Sequence, residues 1–262
     1  MKALFLRLLD ADDKATALKS AIDLRQQRSL PDRFDIELMS FSMIPGSPFA
    51  YWAGKELRRI FRDLPRFESH DRTAKQGLTT ADDDRFARLW WEVPASNLRS
   101  VWFPFAKGGA FAPFYADVHL VVNWAKSGRE IYEFNGIPFG AAGAPLRNPS
   151  FYFRPGLTWP HRSALFSSAA FPADSIFSSS GKAAFVPTDQ LLFSLGVFNS
   201  SAFALLLRIQ SDAVRIKFEC GLVSQTPMVH PDGRDALRVG DLALLAWSTR
   251  RSIDSCNERS HA

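Results

Sequence analysis

The stretch "SVWFPFAKGGAFAPFYADVHLVVNWAKSGREIYEF", Ser100 to Phe134, decides how this 262-residue chain is read. "SVWFPF", "DVHLVVNW" and "REIYEF" are short runs rich in β-branched and aromatic residues, and "AKGGAF" and "AKSGRE" between them supply turn glycines. They predict a sheet in the middle third, which "RFARLWWEVP" (85–94) extends toward the N-terminus. Beyond the Gly- and Pro-rich "NGIPFGAAGAPLRNPS" (135–150), "ALFSSAAF", "SIFSS" and "KAAFVP" repeat the strand pattern with Ser- and Gly-rich connections.

The period then changes. "TDQLLFSLGVFNSSAFALLLRIQS" (188–211) has apolar positions at helical spacing and predicts two helices parted at Asn199-Ser200. "AVRIKFECGLV" (213–223) predicts a last strand, and "GRDALRVGDLALLAWSTRRS" (233–252) a last helix whose basic end complements its dipole. Toward the N-terminus, Leu4, Leu8, Ala15, Leu18 and Ile22 predict one or two amphipathic helices between Ala3 and about Arg28. "LPDRFDIELMSFSMIPGSPFAYW" reads as an extended segment, a turn at Pro45-Gly46 and a helix from Ser47 to about Phe61. The polar run between Arg62 and Asp84 predicts a long exposed loop. The expected fold is α+β, with a mixed, mostly antiparallel central sheet, N-terminal helices and a C-terminal helical layer.

Composition narrows the function classes. A chain that is 46% hydrophobic and 13% aromatic is globular rather than disordered. A net charge of +5, from 32 basic and 27 acidic residues, permits a polyanionic partner without demanding one. Two cysteines exclude a disulfide scaffold or a thiolate metal cluster and fit a reducing compartment, so a cytoplasmic location is expected. Arg7 and Asp10 interrupt the apolar start, which therefore does not read as a secretion signal, and no stretch approaches a membrane span; a soluble protein with no membrane partner is expected.

Several chemical patterns are incomplete. "FGAAGAP" (139–145) resembles a glycine-rich cofactor loop but lacks the preceding buried strand and following helix. The histidines at 70, 119, 161, 230 and 261 have no metal-ligand spacing, and no Gly-x-Ser-x-Gly elbow occurs. No catalytic residue and no metal ligand is assigned.

"LRNPSFYFRPGLTWPHRS" (146–163) is denser. Asn148, Pro149 and Phe151 nearly spell the Asn-Pro-Pro-aromatic element that grips an extruded adenine, with Ser150 in place of the second proline. Around them, Tyr152, Phe153 and Trp159 offer stacking faces, while Arg147, Arg154, His161 and Arg162 offer donors to phosphate or guanine. The same stretch also fits a turn into a strand with Phe151 and Phe153 facing a core. Lys107, Gly108 and Gly109 fit either an anion-binding turn or a hairpin. Asn123, Tyr152 and Trp159 are placed near bases, and Lys107, Arg154 and Arg162 on phosphates.

The ordered segments "IPGSPFAYW", "KQGLTTADDDRFARLWWEV", "WFPFAKGGAFAPFYADVHLVVNWAKSGREI", "RNPSFYFRPGLTWPHRS", "IFSSSGKAAF", "LLFSLGVFNSSAF", "GLVSQTP" and "NERSHA" resemble a family. It is the region after the catalytic domain of PglX-type adenine-specific DNA methyltransferases of BREX phage-defence systems and related type IIG restriction-modification proteins. The resemblance runs from Ile44 onward and implies a target-recognition part that holds double-stranded DNA. It divides the chain into an N-terminal helical and linker segment, 1–62, and a target-recognition-like domain, 63–262. Catalysis with S-adenosylmethionine is expected of a methyltransferase catalytic domain or chain elsewhere, and no cofactor is expected on this chain. "RNPSFYF" (147–153) aligns with a recognition-region motif of the family. The alternative is a non-catalytic structural or interaction remnant of a split methyltransferase gene.

Overall fold

The computed structural model describes residues 1–25, 32–141, 143, 146–211, 217–257 and 260. The chain divides into two units, Met1–Pro65 with Arg208–Asp212, and Arg66–Leu207 with Ala213–Ala262.

In the first unit, β1 (Lys2–Leu6) pairs antiparallel with β2 (Arg33–Glu37), Lys2 opposite Glu37 and Leu6 opposite Arg33. Aromatic rings hold this ribbon: Phe5 stacks on Tyr51 at 5.0 Å and meets Phe41 edge-on at 5.8 Å. A helix, α1 (Lys14–Asp23), follows β1, capped by the Asp13 carboxylate, which accepts from the backbone N–H groups of Ala15 and Thr16. The expectation of helix throughout this region is thus corrected. "KALFL" is too short for its apolar spacing to separate a period of 2 from 3.6. Gly46 turns the chain at φ +80, as its position in Pro45-Gly46 suggests, but the helix that follows, α2 (Lys55–Asp63), begins later than Ser47.

The second unit carries β3 (Thr73–Lys75), α3 (Asp83–Phe86), β4 (Ala87–Leu89), β5 (Trp102–Ala106), β6 (Leu120–Asn123) and α4 (Ala125–Phe134). They are followed by β7 (Gly156–Pro160), β8 (Ala169–Phe171), β9 (Ile176–Phe177) and β10 (Gly181–Phe185). The unit ends with α5 (Leu191–Phe198), α6 (Ser201–Ile209), α7 (Cys220–Gln225) and α8 (Gly233–Asp254). The strands form two four-stranded sheets, β3-β10-β7-β8 and β4-β6-β5-β9, antiparallel except where β5 runs parallel to β9. The mixed, mostly antiparallel α+β architecture expected from sequence is present, built on two sheets rather than one.

Strand β10 lies between two hydrophobic cores. Ala184 joins Leu157, Trp159 and the helical residues Phe198 and Phe203 in one, while Ala183 and Phe185 join Phe105, Val122, Ile131 and Phe177 in the other. Alternation along the strand sends successive side chains to opposite faces, so a strand covered on both faces is apolar throughout. The helical layer closes the first core. Helices α5 and α8 cross at small residues: a Cβ on Gly196 would lie 2.6 Å from Cγ1 of Val239, and Gly240 sits against Leu192. No single helix among the described residues is long and apolar enough to cross a membrane.

Three further expectations change. "REIYEF" is the helical part of α4, entered through left-handed Lys126, Ser127 and Gly128 rather than continuing the sheet. The polar run 62–84 contains β3 and buries Phe67, Arg72 and Leu78, so it is not an exposed loop. In "AVRIKFECGLV", residues 213–216 lie outside the described residues, and Cys220 onward is helical.

Candidate nucleic-acid interface

The turn that precedes β7 gathers cations around one aromatic ring. Asn148 adopts a left-handed conformation (φ 53), and Pro149 opens the short 3-10 turn Pro149–Phe151. Two side chains fasten this turn to the end of β3: Asn148 Nδ2 donates to the Gln76 carbonyl at 2.8 Å, and Arg147 Nη1 donates to Gln76 Oε1 at 3.0 Å. The Asn148 amide therefore holds the turn in place.

Phe151, so positioned, packs on Phe185 at 5.0 Å between ring centroids. The guanidinium of Arg154 lies 5.0 Å from the Phe151 centroid and 5.7 Å from that of Phe185, and Lys75 Nζ lies 5.6 Å from Phe151. Such contacts hold a charge on a ring face without neutralising it. Lys75 has Glu68 at 3.8 Å, but Glu68 also accepts from Thr73 Oγ1, Ser224 Oγ and the Ala74 N–H. Burial opposes ionisation of Glu68, and these hydrogen bonds with the Lys75 charge outweigh it, holding its carboxyl below the usual range. Arg147 and Arg154 are exposed and have no carboxylate partner among the described residues. Arg147, Arg154 and Lys75 make a fixed basic surface.

The other expected residues are distributed differently. Trp159, 1% exposed, donates from Nε1 to the Phe218 carbonyl at 2.9 Å, and Tyr152 is buried, its hydroxyl donating to the Arg147 carbonyl at 2.8 Å. Both are core residues, and their placement near bases is corrected: the strand and turn that carry them are covered on that side. Phe153, by contrast, is exposed and meets Phe103 at 5.1 Å. Asn123 spends its amide locally, donating to Glu130 Oε2 and accepting from the Ala125 N–H.

His161 Nε2 is 2.6 Å from Glu219 Oε1, and Glu219 Oε2 is 2.8 Å from the ammonium of Lys182. Arg162 is exposed beside this pair, in a bridge with Lys217. Lys107 pairs with Asp83, and burial lowers the pKa of its ammonium. Gly108 (φ 78) fits only without a Cβ, which would stand 2.6 Å from the Ser180 carbonyl oxygen.

Lys75 and Gln76 were not identified from sequence as parts of the site. They come from the segment that read as a loop, and no local pattern connects them with a turn more than seventy residues on. The glycine-rich segment at 139–145 follows α4, not a strand, and the 3-10 turn 149–151 comes next; residues 142, 144 and 145 lie outside the described residues. This setting does not fit the strand-loop-helix that cradles a nucleoside cofactor.

No protein-family model matches the chain. Its relatives are adenine-specific methyltransferases. Adenine-specific methyltransferase PglX of Lacticaseibacillus casei (strain Zhang) is 28% identical over 235 residues, 85% of this chain and 19% of that protein. Adenine-specific methyltransferase BrxX of Escherichia coli O9:H4 (strain HS) is 33% identical over 167 residues, 61% of this chain and 13% of that protein. The chain thus spans less than a fifth of the length of these relatives.

Proposed function

We propose that the second unit is the DNA-contacting specificity segment of an adenine-specific DNA methyltransferase in a cytoplasmic phage-defence or restriction-modification system. It positions duplex DNA for methyl transfer from S-adenosylmethionine by a catalytic domain outside this segment. The observation that carries the reading is the pair Arg147 and Arg154, exposed, without carboxylate partners among the described residues, and fixed by Gln76 and by the rings of Phe151 and Phe185. Phosphate contacts set the register of a protein on DNA, and pre-positioned guanidiniums lose little entropy in making them. Lys75, over the same Phe151 ring, adds a third cation. Relatedness to two adenine-specific methyltransferases supports the same reading.

The test is duplex binding by an Arg147→Ala/Arg154→Ala variant over a salt series. Each phosphate contact contributes about 0.9 to the slope of log K against log salt, so the slope should flatten by about 2 in this variant and affinity should fall for every sequence alike. An unchanged slope would remove these residues from the interface.

A second reading, an interaction module that docks on a methyltransferase chain without touching DNA, is favoured by α8. Leu237, Leu242 and Leu245 on that helix are each more than 60% exposed, leaving three large apolar side chains open to a protein partner. It predicts no salt-dependent DNA binding by the isolated chain and stable co-purification with the methyltransferase chain.

A further inference from the structure

Where the chain leaves β7, Arg162 faces Lys217 across an antiparallel bridge. Beside them the Phe218 N–H donates to the His161 carbonyl at 2.9 Å, the pattern of a pair that shares no hydrogen bond of its own and whose side chains stand closer. Such partners carry their Cβ atoms on one face, roughly 4.5–5.5 Å apart, and like charges placed so repel. Both residues are exposed, and neither has a carboxylate partner among the described residues. Glu219, two residues beyond Lys217, has both oxygens engaged: one lies 2.6 Å from His161 Nε2 and the other 2.8 Å from the Lys182 ammonium. The fold therefore gains nothing from two cations at this position, where an opposite-charge or apolar pair would stabilise the bridge.

We propose that Arg162 and Lys217 together clamp one phosphate of the DNA backbone, a second point of contact besides Arg147 and Arg154. A phosphate between the two side chains turns their repulsion into attraction. The guanidinium offers it a planar fork and the ammonium a compact point charge. The repulsion in the free protein is then the counterpart of affinity in the complex, and Lys217, which no sequence pattern marks, is a phosphate-contacting residue. The proposal rests on the DNA-binding reading and adds to it a site whose signature is opposite effects on stability and on binding.

Lys217→Thr in the full chain should raise the melting temperature at low salt by roughly 1–4 °C, because it removes a like-charge pair, and the gain should shrink at high salt. The same variant should flatten the slope of log K against log salt for duplex binding by about 0.9 and weaken every sequence alike. Lys217→Arg should keep the wild-type slope, and Arg162→Thr should reproduce both effects of Lys217→Thr. A lowered melting temperature with an unchanged slope would make Lys217 a residue of the fold alone and overturn the proposal. Inorganic phosphate, compared with chloride at equal ionic strength, should not displace the duplex; displacement by millimolar phosphate would assign the pair to free phosphate and overturn it too. An unchanged slope in Lys217→Thr beside a flattened one in Arg147→Ala/Arg154→Ala would overturn the clamp and leave the DNA reading standing. A folded wild-type chain that binds no duplex would overturn both.

Discussion

Trp159→Ala should cost the protein roughly 4 kcal/mol, within the range for truncating a buried aromatic. Trp159 is fully enclosed, with Phe166 and Phe198 rings at 6.0 Å and 6.4 Å, and its indole N–H satisfies the Phe218 carbonyl. Truncation removes the ring contacts and leaves that carbonyl unpaired in a dry interior. Trp159→Phe keeps most of the volume and isolates the polar loss, about 1–3 kcal/mol. Urea denaturation of both variants measures the difference through the midpoint at constant m. A Trp159→Ala protein as stable as the wild type, deficient only in DNA binding, would return this residue to the interface where sequence alone placed it.

The second large effect comes from the ion pair between Lys182 and Glu219, and it is asymmetric. The Lys182 side chain is 2% exposed, whereas that of Glu219 is 50% exposed. Glu219→Ala strands a buried ammonium and should cost about 3 kcal/mol, the low end for a broken buried pair because water already reaches the carboxylate. Lys182→Met leaves a half-solvated carboxylate still bonded to His161, and should cost under about 1 kcal/mol. Equal losses would show that Lys182 is not the constrained partner.

The pair also gives a pH dependence. Burial opposes ionisation of Glu219, but its hydrogen bonds and charge contacts with Lys182 and His161 prevail and hold its pKa below the ordinary 4.5. A depressed carboxylate contributes stability that is fully present above the unfolded value and is lost as pH falls through the folded one. Stability should therefore fall with pH below about 4.5, and Glu219→Ala should flatten that fall.

What could be read from sequence depended on length and on which face is covered. Helices α5, α6 and α8 and the break at Asn199-Ser200 were legible, since their apolar periods are long and Ser200 Oγ accepts the Phe203 N–H at the start of α6. Strands β5, β6 and β10 were legible from β-branched and aromatic content. "REIYEF" misled because six residues do not separate alternation from a helical turn, and the left-handed residues 126–128 that redirect it carry only one glycine as a signal. Arg72 lies fully buried over the Phe67 ring, and no composition rule anticipates a buried arginine within a polar run. At the candidate interface, the residue chemistry singles out Arg147 and Arg154 as donors to phosphate, and both are exposed. Tyr152 and Trp159 were not separable from surface aromatics, because alternation gives two faces and only the tertiary structure decides which of them is covered.

The most direct test of the central claim is binding of the purified chain to a random duplex pool at several salt concentrations, with sequencing of the bound fraction. A recognition segment should bind with an affinity that falls steeply with salt and should enrich one motif. A folded chain that binds no duplex at low salt, or binds without enriching any sequence, would contradict it.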